Sequence, residues 1–216
     1  MIKSLFHDFS CLPQVEAIAL GGSRAGETYD EASDYDVYLY CTAPIDVETR
    51  RSILSRYCFL TELGNHFWEY EDNCILKGGT EIDILYRDLD QFCTDVASVV
   101  ERVALSHPEI AVRLICDGAQ KLETAGDGQL KSAIWAVFGK EFASRLIEVE
   151  SDNDGIVVKG FIGRSDNFKA NRNYQNFFIN GRYVKSRTAM AALEQAYSSY
   201  IAPERFPSCV LFIDIH

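Results

Sequence analysis

The sequence lacks the features that mark secreted, membrane-spanning or metal-thiolate proteins. Its seven cysteines are scattered singly and form no C-x-x-C pair, and an odd number does not complete a disulfide framework. No apolar run reaches the length of about 20 residues that a membrane helix needs. The first residues also lack the apolar core of a signal peptide. We therefore expect a soluble cytoplasmic protein with reduced thiols and no membrane partner.

Positive charge is scarce in the first part of the chain. The 216 residues include 32 acidic and 21 basic side chains, which gives a net charge of −11. Residues 1–97 hold 18 of the acidic and 7 of the basic ones, whereas residues 98–216 hold 14 of each. This asymmetry indicates two segments of different origin. An acidic first part disfavours nonspecific nucleic-acid binding there but is compatible with metal binding, because carboxylates are the ligands of hard cations.

A glycine loop is the first informative pattern. The apolar run at residues 15–20 predicts a strand, which ends in Gly21, Gly22 and Ser23. Glycine lets the backbone approach a ligand closely, and exposed N–H groups beside a hydroxyl suit phosphate oxygens. Taken alone, this triplet is also ordinary turn material.

Three aspartates add a possible metal site to this loop. Asp34 and Asp36 begin a second apolar run, and residues i and i+2 of a strand project from the same face. Asp83 lies in the middle of a later strand predicted at residues 80–86, where a lone carboxylate requires a partner. We therefore expect Asp83 to face the other two. The alternative for the first pair is a solvated acidic loop.

The motifs L-G-G-S, D-Y-D-V and I-D-I-L, in this order, resemble the polymerase-beta-like nucleotidyltransferase superfamily, especially its minimal and aminoglycoside-modifying members. The resemblance covers about residues 1–100 and implies an enzyme that moves an NMP from an NTP substrate to an unidentified acceptor hydroxyl. It assigns catalysis and the binding of two Mg²⁺ ions to Asp34, Asp36 and Asp83. It assigns nucleotide binding to Gly21, Gly22, Ser23 and Arg24. Two metal ions stabilise the attacking and leaving oxygens of such a transfer.

Helical periodicity predicts two long helices around the third aspartate. Residues 46–63 form the first, which Gly64 ends. Residues 88–105 form the second, with Val99 and Val103 among its inward side chains. An aromatic cluster at residues 67–70 fits core packing better than stacking on a base. A final apolar strand at residues 208–215 is expected to be buried.

Basic side chains are concentrated late in the chain. A phosphate-contacting surface is one interpretation of this cluster, and a solvated loop and hairpin is the other. The candidate DNA contacts are Arg164, Lys169, Arg172, Arg182 and Lys185.

The amino-acid sequence of the second part resembles that of the MutL family of DNA mismatch repair proteins. The matching segments include V-A-L-S-H-P-E-I-A-V-R-L-I, L-K-S-A-I-W-A-V-F-G-K-E-F-A, G-F-I-G-R and S-D-N-F-K-A-N-R-N-Y-Q-N-F-F-I-N-G-R-Y-V-K-S. The resemblance implies the end of the family's ATPase domain at residues 101–128. It implies a truncated transducer domain at residues 129–216, with the fold of domain two of ribosomal protein S-five. It also implies that the chain binds DNA and associates with a second copy of itself.

The family's ATP-binding elements have no counterpart upstream, so we expect no ATPase activity. The truncation is also expected to leave the strand around residues 210–213 as an exposed edge.

The expected class is therefore α+β: a nucleotidyltransferase-like mixed sheet with helices over residues 1–100, followed by the transducer-like domain. The first expectation for function is a Mg²⁺-dependent nucleotidyltransferase fused to a MutL-like fragment. The alternative is a noncatalytic MutL fragment that binds DNA or repair partners. The residues do not distinguish a natural fusion from an artificial chimera or a misassembled reading frame.

Overall fold

The computed structural model describes residues 1–26, 33–66, 69–116 and 118–215. The chain divides into two compact units, Met1–Asp95 and Val96–His216. Each unit contains a five-stranded sheet and helices, so the predicted α+β class is confirmed. Within the described ranges, no helix combines the length and the apolarity needed to cross a membrane.

The first unit is built on a mixed sheet with the order β1-β2-β5-β4-β3. Strands β2 and β5 are parallel, and the other neighbours are antiparallel. The strands are β1 Val15–Gly21, β2 Tyr35–Cys41, β3 Cys58–Asn65, β4 Glu71–Leu76 and β5 Glu81–Asp88. The helices are α1 Ile2–Ser10 and α2 Val47–Tyr57, and a single 3₁₀ turn, Ser23–Ala25, follows β1.

The core of the first unit joins its helices to the sheet. Leu5 and Phe9 lie four residues apart on one face of α1, and Ile53 and Leu54 occupy the inner face of α2. These side chains are buried in one cluster with alternate residues of β2 and β5. The sheet thereby holds the N-terminal ends of β2 and β5 side by side.

The helix predicted at residues 46–63 is too long. It ends at Tyr57, because Cys58 is already extended, with φ −105° and ψ 149°. Residues 58–65 instead form β3, which pairs with β4, a strand the pattern did not predict. Gly64 lies inside β3 with φ 76° rather than at a helix end. A backbone pairing partner overrode the helical period of this segment.

The structure describes only part of the aromatic cluster at residues 67–70, for which core packing was predicted. Phe67 and Trp68 lie outside the described residues. Tyr70 is 36% exposed, although its hydroxyl accepts a hydrogen bond from the buried Arg50.

The second unit has a sheet of the order β11-β10-β12-β9-β8 and a separate β6-β7 hairpin. Helix α3, Leu89–Ser106, begins in the first unit and ends in the second. The strands are β6 Arg113–Cys116, β7 Ala119–Glu123, β8 Leu146–Asn153, β9 Ile156–Gly163, β10 Gln175–Ile179, β11 Arg182–Tyr183 and β12 Cys209–Ile215. The remaining helices are α4 Leu130–Phe138, α5 Lys140–Ser144 and α6 Arg187–Ala196.

Helices cover both faces of this second sheet. Phe177 and Phe178 are neighbours in β10, so their side chains point to opposite faces. Phe178 packs in a cluster with Ile134 of α4 and Phe142 of α5. Phe177 packs in a different cluster with Leu193 of α6.

Two expectations for the second unit are wrong. Val99 is 57% exposed and Val103 is 45% exposed, whereas Ala104 and Leu105 are the buried residues of α3. The last strand is not an exposed edge. It lies in the middle of the sheet, parallel to β10 and antiparallel to β9, so both of its hydrogen-bonding edges are paired.

Candidate functional site

The three aspartates singled out in the first unit lie together at one end of its sheet. Asp36 of β2 is the direct register partner of Asp83 in the parallel strand β5. Asp34 immediately precedes β2. One carboxylate oxygen from each residue lies within 4.8 Å of the others, a spacing that could hold a metal ion. Parallel register produces this convergence, because it places the same ends of β2 and β5 next to each other.

The electrostatics of this acid cluster follow from its crowding. Partial burial raises the pKa of Asp36, and the nearby carboxylates of Asp34 and Asp83 raise it further. The Nδ2 of Asn73 donates to Asp83 Oδ1 at 2.8 Å. Asn65 Nδ2 in turn donates to Asn73 Oδ1 at 2.6 Å. This asparagine relay comes from β3 and β4, and the sequence pattern did not predict it.

The glycine loop lies directly against the acid cluster. Gly21 is the register partner of Asp36 across β1 and β2. Gly22 has φ 60°, and a Cβ added there would collide with Asp36 Oδ2. The close approach of this loop to Asp36 therefore accounts for the glycine without any bound phosphate. Ser23 is exposed at the start of the 3₁₀ turn.

Arg24 makes contacts within the first unit. Its Nε donates to the carbonyl oxygen of Ser33 at 2.7 Å. Its guanidinium lies 4.1 Å from the centre of the Tyr35 ring, and Nη1 donates to the Tyr35 hydroxyl at 3.3 Å. These contacts hold the side chain against β2.

The candidate DNA contacts of the second unit fall into two classes. Arg164, Arg182 and Lys185 are exposed. Lys169 is partly buried, with Nζ 4.9 Å from the ring centre of Phe142 and 4.7 Å from that of Tyr174.

Arg172, like Lys169, already contacts other side chains of the second unit. Its Nε donates to Glu194 Oε1 at 2.6 Å, and its Nη2 donates to Glu194 Oε2 at 2.9 Å. The guanidinium also lies 4.2 Å from the ring centre of Phe206. Two of the five predicted DNA-binding side chains are therefore already held by internal partners.

The exposed cations do not form one cluster. Arg164 directly follows β9, beside the first residues of β12, since Gly163 donates its N–H to Ser208. Arg182 pairs with Ile179 at the opposite end of β10. The strand length between these ends is roughly 13 Å for a five-residue strand. A ligand that contacts both must therefore extend along the sheet.

The chain is similar in sequence to DNA mismatch repair proteins. Residues 134–216 match the family model described as DNA mismatch repair protein, C-terminal domain. The DNA mismatch repair protein MutL of Agathobacter rectalis is 43% identical over 117 residues, which cover 54% of this chain and 18% of that protein. MutL of Symbiobacterium thermophilum is 39% identical over 174 residues, which cover 75% of this chain and 27% of that protein. The chain thus spans less than a third of the length of these relatives.

A solved structure, the MutL ATPase domain of Aquifex aeolicus complexed with ADP, aligns over 86% of this chain and 85% of its own. Its sequence identity is 16% and its TM-score is 0.45. The resemblance of the second part to MutL is supported by the family model and by the curated relatives.

These comparisons overturn the nucleotidyltransferase interpretation. The matched proteins are mismatch repair proteins, and the Symbiobacterium alignment covers three quarters of the chain, so it includes part of the first unit. The predictions of a nucleotidyltransferase, of an NTP substrate and of two Mg²⁺ ions are wrong, and these matches give no support to a fusion. Two of the motif residues also have local roles that require no nucleotide. Gly22 makes room for Asp36, and Arg24 packs on Tyr35.

Proposed function

We propose that this chain acts as a noncatalytic MutL-type fragment of the DNA mismatch repair machinery, which binds DNA or a repair partner. The observation that carries this proposal is the match of residues 134–216 to the mismatch repair family model. These residues include the whole sheet of the second unit. The proposal involves no nucleotide hydrolysis.

The exposed cations of the second unit are the proposed DNA contacts. Arg164, Arg182 and Lys185 carry positive charge at the surface of a unit whose acidic and basic side chains are balanced. Arginine and lysine side chains bind phosphate oxygens and release counterions, which supplies most of the sequence-independent affinity for DNA. Lys169 and Arg172 are expected to contribute less, because each already has an internal partner.

Salt-dependent binding of the full chain to a fluorescent duplex tests this function. Anisotropy titrations between about 50 and 200 mM salt should show affinity that falls as salt rises. The triple variant Arg164→Gln, Arg182→Gln, Lys185→Gln should bind more weakly. Its plot of log affinity against log salt should be less steep, with a slope smaller in magnitude by about 0.9 for each phosphate that the variant no longer neutralises.

The matched control is Lys121→Gln, which removes an exposed lysine of the β6-β7 hairpin. It should leave both the affinity and the salt slope unchanged. The DNA proposal fails if the parent chain does not bind duplex, or if the triple variant and the control bind equally well.

Association with another copy or with a repair partner is the second part of the proposal. The edge strand β8 favours it, because no strand among the described residues pairs with its outer edge, and because Ile147 is 49% exposed. Light scattering of the full chain at increasing concentration tests self-association, and Ile147→Lys should weaken it. A molecular mass that stays at the value of the monomer at every concentration contradicts self-association.

We propose separately that Asp34, Asp36 and Asp83 bind one divalent cation. The donor set fits, because three carboxylates supply the oxygen ligands that hard cations prefer. Calorimetric titration with Mn²⁺ should give one site per chain in the parent and none in Asp83→Asn. The control Asp90→Asn, at the exposed start of α3, should bind like the parent. Equal binding by all three proteins rules this site out.

A further inference from the structure

A pocket of about 150 Å³ lies at the C-terminal ends of β2 and β5 in the first unit. We call it the Tyr70 pocket. Its lining includes Cys41 and Asp88, which are register partners and are the last residues of these two parallel strands. The same register places Asp36 beside Asp83 near the other ends of β2 and β5. The Tyr70 pocket is therefore separate from the acid cluster.

The pocket extends from the surface to the core of the first unit. Cys41 and Ile45 form its inner part, since each is only 5% exposed and belongs to the core cluster. Ala43, Pro44 and Tyr70 are exposed and form its mouth. Protein interiors contain few voids larger than a water molecule, so an apolar space of this size beside the core is suited to a ligand.

Two tyrosine rings form the aromatic part of the lining. The ring centres of Tyr70 and Tyr86 are 6.0 Å apart, and the rings are tilted by 52°. The buried guanidinium of Arg50 lies 4.9 Å from the first centre and 4.8 Å from the second. Its Nη2 donates to the Tyr70 hydroxyl, and the Tyr86 hydroxyl donates to Asp72. These contacts fix both rings, so the pocket is formed before a ligand arrives.

The charged residues of the lining already have partners. The Nε and Nη2 of Arg87 donate to the two carboxylate oxygens of Glu69 at 2.8 and 2.6 Å. Asp88 Oδ1 accepts from the backbone N–H of Gln91 at 2.8 Å. Burial raises the pKa of the Cys41 thiol, and the carboxylate of Asp88 raises it further. The pocket therefore presents no unpaired charge to a ligand.

We propose that the Tyr70 pocket binds one small uncharged aromatic molecule of the class of phenol. The volume of about 150 Å³ sets the size, because an engineered cavity of about this volume binds benzene. The ligand ring packs against Tyr70 and Tyr86, since aromatic rings attract one another in tilted and offset arrangements. Its hydroxyl lies at the mouth, where water completes its hydrogen bonds. Charged ligands are excluded, because desolvating a charge without a partner is unfavourable.

This site lies entirely within the first unit. It contains none of the proposed DNA contacts and none of the three aspartates. Ligand binding here goes beyond the proposed function and does not rely on it.

Protection of Cys41 from a small thiol reagent tests the proposal in the full chain. Methyl methanethiosulfonate transfers its methylthio group to a cysteine thiolate and releases methanesulfinate. At a phenol concentration of about ten times its dissociation constant, Cys41 should react about ten-fold more slowly, because the ring fills the space that the reagent must enter. The exposed Cys11 of the same unit is the internal control and should react at an unchanged rate. Mass spectrometry of the peptides measures both rates.

Ligand-observed NMR titrations measure the affinity and the selectivity. A dissociation constant of about 1 mM is expected for a ligand with so few non-hydrogen atoms. Ala43→Leu narrows the pocket and should weaken phenol binding about ten-fold or more. The matched control Ala119→Leu, at an exposed position of β7, should bind phenol like the parent. Benzoate should bind at least about ten-fold more weakly than phenol, because its charge must be desolvated.

The proposal is overturned if phenol does not slow the reaction of Cys41. It is also overturned if Ala43→Leu, shown to be folded by circular dichroism, binds phenol as tightly as the parent, or if benzoate protects Cys41 at the same concentrations as phenol. Tyr70→Leu provides a second check on the aromatic contact. It should lower the affinity for phenol, and an unchanged affinity would contradict packing of the ligand against the Tyr70 ring.

Discussion

Arg50 Nη1 donates to Asp72 Oδ1 at 2.6 Å, and both side chains are completely shielded from solvent. The pair joins α2 to β4. Asp72 also accepts from the hydroxyl of Tyr86 and from the backbone N–H of Gly64, each at 2.8 Å. The next residue, Asn73, holds the carboxylate of Asp83. The ion pair therefore fixes the strand that supports the acid cluster.

Removing one partner of this pair should be costly. We expect Arg50→Met to lower the free energy of unfolding by about 3–5 kcal/mol, because it leaves Asp72 charged and buried without its cation. Urea denaturation followed by circular dichroism measures the change. Arg51→Met, at the neighbouring position where the arginine side chain is 54% exposed, should cost less than about 1 kcal/mol. Similar losses in the two variants would contradict this role of the pair.

Gly22 and Gly79 offer a matched test of the loop beside the acid cluster. Both have positive φ, 60° and 86°, but a Cβ at Gly79 would meet nothing within 4 Å. Gly79→Ala should therefore cost about 1 kcal/mol of stability, from backbone strain alone. Gly22→Ala should cost clearly more, because the new methyl collides with Asp36. Thermal denaturation compares them, and equal losses would show that the loop moves away without penalty.

Glu194 should give the stability of the second unit a defined pH dependence. Hydrogen bonds from Arg172 hold the pKa of Glu194 below its ordinary value of 4.5. A lowered folded-state pKa contributes stability above the ordinary value, and this contribution is lost as the pH falls through the lowered value. Glu194→Gln should thus be less stable than the parent at about pH 7, by less than about 1 kcal/mol because the pair is partly exposed.

The same two proteins should become equally stable as the pH drops below 4.5 towards the lowered pKa. Urea denaturation at about pH 7 and at about pH 3 measures both differences. Glu148→Gln, at an exposed position of β8, is the control and should show no such change. A difference between Glu194→Gln and the parent that persists unchanged in acid would be inconsistent with the ion pair as its source.

Lys169 and Lys185 should differ in their effect on duplex binding. Lys169 lies over two aromatic rings, so Lys169→Gln should lower stability by about 0.5–2 kcal/mol and change DNA affinity little. Lys185 is exposed, so Lys185→Gln should weaken DNA binding. It should also reduce the magnitude of the slope of log affinity against log salt by about 0.9. Anisotropy titrations and urea denaturation of both variants separate the two effects. Equal losses of DNA affinity would place Lys169 on the binding surface after all.

Much of the local structure could be predicted from the sequence. Alternation of apolar and polar residues located β2 and β5, and it placed Asp36 and Asp83 in strands, where the structure brings them together with Asp34. The N-G turn between β10 and β11 follows from Asn180 and Gly181, both of which have positive φ. These features depend on neighbours a few residues away, so the local pattern contains the information.

The supporting contacts could not be predicted in the same way. The helical spacing of residues 46–63 gave no sign that Arg50 would be buried, yet it is completely shielded from solvent beside Asp72. Asn65 and Asn73 carried no recognisable spacing, because their relay to Asp83 depends on the register between β3, β4 and β5. The valines of α3 had helical spacing, but spacing alone does not specify which face of a helix will be covered.

The order of residues along the chain determines the apolar periodicity of the helices and strands and the positions of the turns. It also contains the similarity of the second part to mismatch repair proteins. The sequence alone was enough to find all three. The three-dimensional arrangement makes residues 58–65 a strand, places β12 in the centre of its sheet, and gives Lys169 and Arg172 internal partners. Each of these outcomes depends on a partner in another segment of the chain. The free energy of a pairing or a buried contact belongs to both partners, so neither segment specifies it alone.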